Sequence, residues 1–290
     1  MGTPMVSVAA DSGGKFVFAV DADGGVYAYT VNRTTGELTA VSGAPFTTGD
    51  SPLWVAVDPS AKFAYVLNGT GTVSVFTVNS TAGTLTAAAT TTLGAKPVRG
   101  TVDPSGRFLY VAEGADGTEV FKIDSSAGTL TLVRTVPATP CAASQDVAMD
   151  VNSKFAFVAD GATGVCNYAI NASSGDLTLI SSSIVTAGSN PVAVASGAAG
   201  KFVVAANQNS NNISGWTMNS DGTLTALSKS PFGTGTTPVD VTIDPSGAFI
   251  YAVTSGDSKV SVFSIDSSGT VRAQGTVAAG AKPVSVIATQ

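Results

Sequence analysis

The sequence predicts an all-β protein, a propeller of four-stranded antiparallel blades, on three observations. One phrase, VAVDPSAKFAYVLN at residues 55–68, is repeated along the chain. It returns as TVDPSGRFLYVAE (101–113), AMDVNSKFAFVAD (148–160), VASGAAGKFVVAAN (194–207) and TIDPSGAFIYAVT (242–254), with an early copy, AADSGGKFVFAVD, at 9–21. The aromatics that anchor these copies are Phe16, Phe63, Phe108, Phe155, Phe202 and Phe249. They recur at a spacing of about 47 residues, inside the range of four-stranded propeller blades. Finally, no window keeps apolar residues at helical spacing without an intervening Gly or Pro, so a helical reading fails throughout.

One repeat shows why each element forms. Leu53 to Asp58 alternates apolar and polar residues and ends in a Pro-Ser turn, which makes it strand A. Lys62 to Leu67 is rich in β-forming residues and is strand B. Asn68 to Gly71 turns the chain into strand C, Val73 to Val78. The turn at 79–83 ends on Gly83, which suits a positive φ. Thr84 to Thr91 follows as the outer strand D. Strand C reappears at 26–31, 165–170, 213–218 and 260–265, and strand D at 36–41, 128–133, 175–180 and 222–227.

The chain opens on a strand A, Met5 to Ala10, and closes on another, Pro283 to Thr289. That leaves six full repeats and one extra C-terminal strand. Six blades are favoured, because only six units are complete. A seven-bladed ring with an incomplete last blade is the alternative, its missing strands preceding Met1. In a third arrangement the spare strand completes an edge in another copy, a route to self-association. Each repeat covers its neighbours' faces, so residues 1–290 read as a single domain.

Composition narrows the function. Charged residues are 12% of the chain, net charge is −6 and the pI is about 4.5. No basic stripe is present, which argues against nucleic acid and anionic membranes as partners. No stretch is long and apolar enough to be a membrane-spanning helix. The chain has no histidine, which removes the usual general base and the commonest transition-metal ligand. Residues 1–4 carry no targeting pattern, so the chain reads either as cytoplasmic or as a protein whose signal segment is absent from this sequence. Low charge and abundant Ser and Thr favour a secreted or periplasmic protein.

Strand direction sorts the loops onto two faces. The A–B turns carry Asp58, Asp103 and Asp244, where a carboxylate accepts backbone N–H groups; the reading there is structural. On the other face, the second residue after the strand-A proline or its equivalent varies: Trp54, Arg99, Asp146, Ala193, Asp240. Strand B ends on Asp21, Asn68, Glu113, Asp160, Asn207 and Thr254. These residues are expected to ring the mouth of the central channel. Trp54, Asn68, Arg99, Glu113, Asp146, Asp160, Asn207 and Asp240 are the ligand-binding candidates. For hydrolysis, Glu113 or Asp160 is the candidate base and Arg99 the oxyanion stabiliser. A Ca²⁺ ion held by Asp21, Glu113, Asp146, Asp160 and Asp240 is chemically sensible, because hard cations take carboxylate oxygens.

Cys141 lies in the loop before the fourth strand A, and Cys166 at the start of the fourth strand C. Both belong to the same end of one blade. Strands A and C stand roughly 10 Å apart, too far for a direct bridge. A disulfide therefore requires the 137–144 loop to fold over strand B, and that disulfide is the expectation.

The pattern P-x-x-V-x-V-D-P-S-G-x-F-x-Y-V-A-N, then V-S-V-F-x-I-D, then G-x-L-T, resembles the bacterial lactonase-family propellers, the 6-phosphogluconolactonase-like and YVTN-repeat proteins, over essentially the whole chain. The resemblance implies the propeller fold and, commonly, seven blades. Catalytic members use His, Glu and Arg on one propeller face, and without a His this chain cannot repeat that set. Two functional readings follow. The first is a binding or scaffold module with a small-molecule, protein or carbohydrate ligand at the channel mouth. The alternative is a hydrolase of sugar lactones that uses carboxylates, with or without a divalent cation.

Overall fold

The structure, a computed structural model, describes residues 4–162, 164–197 and 200–288. Six antiparallel sheets stand in a ring, each with its strands in the order A–B–C–D from the axis outward. Blade one is Met5–Ala10, Phe16–Asp21, Gly25–Val31 and Leu38–Ala40. Blade two is Pro52–Val57, Phe63–Asn68, Thr72–Val78 and Leu85–Thr92; blade three is Arg99–Val102, Phe108–Ala112, Thr118–Ile123 and Leu130–Val136. Blade four is Ser144–Met149, Phe155–Asp160, Gly164–Ile170 and Leu177–Val185. Blade five is Pro191–Ser196, Phe202–Asn207, Asn212–Met218 and Leu224–Ala226; blade six is Pro238–Ile243, Phe249–Thr254, Lys259–Ile265 and Val271–Ala278. Among the described residues no helix is long and apolar enough to cross a membrane.

The six aromatics each open a strand B, as the repeat requires. The A–B turns explain the recurrent aspartate. Oδ1 of Asp58 accepts the N–H groups of Lys62 (2.8 Å) and Phe63 (2.6 Å). Asp11, Asp103, Asp150 and Asp244 do the same for the equivalent pairs. One carboxylate thus satisfies two buried donors at the start of strand B. It also draws Asp58 out of the ladder, so strand A ends at Val57 rather than Asp58.

Blades lock through the same aromatics. An ideal Cβ added to Gly83 would lie 2.5 Å from the Phe16 ring. Gly128 sits as closely on Phe63 (2.5 Å), Gly175 on Phe108 (2.4 Å) and Gly222 on Phe155 (2.3 Å). Each glycine belongs to the C–D turn of one blade and each ring to the blade before it. A methyl group would overlap the ring, so close packing, together with the positive φ, selects glycine there.

The outer strands of blades one and five are shorter than the sequence suggests. The chain leaves the ladder at Val41 and Leu227, whose side chains drop into the core. It then pairs with strand C again through Phe46–Thr47 and Phe232–Gly233.

The expected final strand A, Pro283–Thr289, differs more. Residues 283–288 enter no ladder, and Thr289 lies outside the described residues. The reason is that, among the described residues, none of the six sheets offers the segment a strand B to pair with. Its place is still that of an inner strand. The Val286 N–H donates to Asp240 Oδ2 at 2.8 Å. Val194 N–H donates to Asp146 Oδ2 in the same way (3.0 Å), as does Val55 N–H to Ser7 Oγ (3.3 Å). The ring is six four-stranded blades with one extra inner segment.

Candidate functional site

The inner strands of all six blades and residues 285–288 surround a central channel of about 630 Å³. Trp54, Arg99, Asp146 and Asp240 all line it. Ala193 does not; it is fully buried behind the wall. A smaller hollow of about 210 Å³ opens beside Arg99, between Ser7, Trp54, Val239 and Ser285.

Arg99 reaches across the channel from blade three to blade six. Its Nη1 donates to Asp240 Oδ1 at 2.8 Å, and its Nη2 to the Val239 carbonyl at 2.9 Å. Nη1 also stands 3.9 Å from Asp146 Oδ2. The carboxylates are held by backbone in turn. Asp146 accepts from Val147 N–H (2.9 Å) and Val194 N–H (3.0 Å), Asp240 from Val241 N–H (3.0 Å) and Val286 N–H (2.8 Å). Burial pushes the Asp146 carboxyl up to about 7, against the opposing pull of Arg99. Burial works against the Arg99 charge, but Asp240 and Asp146 outweigh it and hold the guanidinium above its usual range.

The strand-B ends lie at the same end of the blades but not in the channel wall. Asp21, Asn68, Glu113, Asp160, Asn207 and Thr254 are all buried, and none lines the channel. Strand B is second from the axis, so its last side chain caps its own blade instead of facing the mouth. Asp21 Oδ1 accepts from Asp23 and Gly25 N–H. Asn68 Nδ2 donates to Ser74 Oγ (3.0 Å), and Asn207 Nδ2 to Ser214 Oγ (2.9 Å). Asp160 takes the Ala142 and Ala143 N–H groups (3.1 and 2.7 Å). The five acids considered for Ca²⁺ therefore do not meet. Among the described residues no group of three or more His, Cys, Asp or Glu could hold a metal ion.

Glu113 brings out a residue that sequence reasoning missed. Its partner is Glu119 on strand C, where blades two, five and six carry Ser74, Ser214 and Ser261. Both glutamates are buried. Glu113 Oε1 accepts from Ala95 N–H (3.3 Å), and Glu119 Oε2 from Gly94 N–H (3.2 Å). Glu113 Oε2 has no donor unless a proton bridges the two carboxyls. Burial first, then the Glu119 charge, push Glu113 up to about 7. The signal in the sequence was a glutamate at a position where other repeats place a hydroxyl.

A carboxyl whose folded pKa lies above its unfolded value contributes stability at low pH and loses it as pH rises between the two values. Raising the pH from 5 to 8 is therefore expected to cost about 2 kcal/mol through this pair. Glu113→Gln, which restores an amide donor like that of Asn68, should remove this share and leave that of Asp146. Urea titrations at the two pH values check it; equal slopes for both proteins would sink the shared-proton account.

Cys141 and Cys166 form a disulfide with Cα atoms 6.4 Å apart. The loop carrying Cys141 does fold over strand B. Asp160, at the end of that strand, holds it down through the Ala142 and Ala143 N–H groups.

No protein of curated function matches the sequence. Among solved structures, a candidate 6-phosphogluconolactonase of Bacteroides uniformis aligns with TM-score 0.84 and 21% identity, over 98% of this chain and 88% of its own. Another from Bacteroides fragilis aligns with TM-score 0.80 and 19% identity, over 97% and 85%. The periplasmic gluconolactonase of Pseudomonas aeruginosa aligns with TM-score 0.78 and 18% identity, over 96% and 86%. These likenesses are of fold. The sequence profile of the family described as lactonase, 7-bladed β-propeller, matches residues 16–118, 113–236 and 198–288. With that match running through nearly the whole ring, the chain belongs to the lactonase family of β-propellers.

Proposed function

We propose that this chain hydrolyses sugar lactones, with Arg99 and Asp146 at the channel mouth as its working groups. The observation that carries this reading is the Arg99–Asp146–Asp240 cluster beside a hollow of about 210 Å³, in a chain of the lactonase family. The Asp146 carboxyl, pushed up to about 7, suits a general base near neutral pH. It takes a proton from water as the water oxygen bonds to the lactone carbonyl carbon. Arg99 stabilises the negative charge that develops on the carbonyl oxygen. The ring C–O bond then breaks, and the leaving alkoxide recovers the proton from Asp146, giving the hydroxy acid. Asp240 is a positioning residue that fixes Arg99. Glu113 and Asp160 take no part, because they point into their own blade.

The disulfide supports a secreted or periplasmic setting, since such bridges persist in oxidising compartments. The periplasmic neighbour from Pseudomonas aeruginosa agrees with that setting.

The test is a panel of sugar δ-lactones followed by pH-stat, with and without chelator. Turnover is expected to rise through about pH 7 and to fall by roughly 10²-fold or more in Asp146→Asn. No turnover above spontaneous opening, or equal rates with and without Asp146, would end this reading. The second reading, a binding module, is favoured by one feature: the guanidinium is already engaged by Asp240 and the Val239 carbonyl. Calorimetric binding of a hydroxy acid without turnover, abolished in Arg99→Lys, would establish it.

A further inference from the structure

One position of the inner strands departs from its repeat. Where the other inner segments carry Val8, Val55, Val147, Val194, Val241 and Val286, blade three carries Gly100. Its surroundings require glycine. A Cβ there would lie 2.8 Å from the Tyr110 carbonyl oxygen, 3.1 Å from Leu67 Cδ1 and 3.7 Å from Trp54 Cζ3. Gly100 also differs in its hydrogen bonding. The Asp103 N–H donates to the Phe108 carbonyl, so the alternation of the antiparallel ladder turns the Gly100 N–H away from strand B and toward the channel. The equivalent amides of Val55, Val147, Val194, Val241 and Val286 each find a side-chain acceptor in Ser7, Asp146 or Asp240. Each acceptor stands either just before the amide in sequence or at the equivalent place in the preceding blade. For Gly100 those two residues are Arg99 and Trp54, whose side chains only donate. Gly100 is buried, and its N–H has no acceptor among the described residues. Val8 is the one other amide of this series without a side-chain acceptor among them. A buried amide in that condition is completed by water or by a ligand.

We propose that Trp54 and Gly100 form the specificity subsite of the channel mouth, the indole carrying the C–H face of an uncharged sugar ring and the Gly100 N–H donating to an oxygen at the ring's edge. The sugar ring is taken from the lactone reading above; the subsite adds the residues that select it. Trp54 lines both the channel and the smaller hollow and is only partly buried, whereas Trp216 is 2% exposed. An open indole face beside an unpaired amide suits a ring with one apolar face and oxygens around its edge. Arg99 complements the pair from the far side, because Asp240 and the Val239 carbonyl hold its guanidinium at blade six. A ring lying between them meets a donor at each end. Charge sets the class of ring. The charged residues lining the channel are Asp11, Arg99, Asp146 and Asp240, and both Nη atoms of Arg99 already donate within the protein. A phosphorylated ring would bring a second anion among three carboxylates without a cation of its own, a like-charge arrangement that disfavours it.

The probe is the 1,5-lactam of gluconic acid, which keeps the ring and its carbonyl and is not hydrolysed. In the unaltered protein it is expected to change the indole emission, to shield it from iodide and to slow amide exchange at Gly100 by about tenfold or more. The emission change should vanish in Trp54→Phe. By calorimetry, Trp54→Ala should weaken the lactam roughly tenfold and Trp54→Phe should restore most of the affinity. The 6-phosphorylated lactam should bind about tenfold more weakly than the neutral one. No binding of the lactam, no slowing at Gly100, undiminished affinity in Trp54→Ala, or equal affinity for the phosphorylated lactam overturns the proposal. The lactone reading stands or falls separately. Lactam binding through Trp54 without turnover of any lactone ends that reading and keeps the subsite. Lactone turnover with KM unchanged in Trp54→Ala keeps the reading and ends the subsite.

Discussion

Replacing Arg99 with leucine is expected to lower the unfolding free energy by about 3 kcal/mol at pH 8, and by about 1 kcal/mol at pH 5. Removing one partner of a buried ion pair exposes the desolvation cost of the others. Here two carboxylates, Asp146 and Asp240, would face each other across the channel with their cation gone. Both are held in place by backbone N–H groups, so neither can swing away to solvent without losing those bonds. The sign of the pH effect follows from Asp146. Its folded value already lies above the ordinary 3.8 because of burial, and losing Arg99 raises it further. A carboxyl shifted upward holds its proton in the folded state, so its destabilising effect grows as pH rises and fades below the unfolded value. Urea midpoints of the variant at the two pH values give the difference directly. A loss independent of pH would mean that Arg99 acts through packing alone. Adding Asp146→Asn and Asp240→Asn to the leucine variant should recover part of the pH 8 loss, because no buried charge then remains unpaired.

The fold was legible because the repeat writes it in particular residues. Asp58 and its equivalents are required by two backbone donors each, and Phe63 and its equivalents by a glycine in the next blade. Both requirements recur in five of the six blades, so both leave a period in the sequence. The channel was only partly legible. Trp54, Arg99, Asp146 and Asp240 stood out by varying where their neighbours repeat, and all four do line the channel. The ion pair itself joins residues 141 positions apart, which no local pattern encodes. Asn68, Glu113, Asp160 and Asn207 were placed at the mouth by strand direction alone. Direction gives height along the axis, whereas strand order gives distance from it, and strand B is second from the axis. Glu119 escaped notice because an acid in the regular alternation of strand C looks like an outward-facing residue. The spare C-terminal segment was found, but its lack of a ladder could not be read from a strand pattern that matches the others.

Replacing both cysteines with alanine is expected to cost about 3 kcal/mol, the chain-entropy value for a closed loop of this order. The two residues are 25 apart in sequence, so the bridge removes freedom from the unfolded chain that no native contact replaces. The native state should change little. The Cys141 loop keeps its two bonds to Asp160, and both sulfurs lie among buried side chains, where alanine leaves only a small void. The loss should therefore appear in unfolding free energy while the hydrogen-exchange pattern of blade four persists. Protein made in a reducing cytosol should show the same deficit, recovered on oxidation. Asp160→Asn in the oxidised protein separates the two contributions, because it weakens the docking of the loop and leaves the chain constraint intact. Thiol titration of denatured, unreduced protein from an oxidising host should find no reactive thiol. Two thiols per chain would refute the bridge and remove the main physical support for a secreted or periplasmic setting.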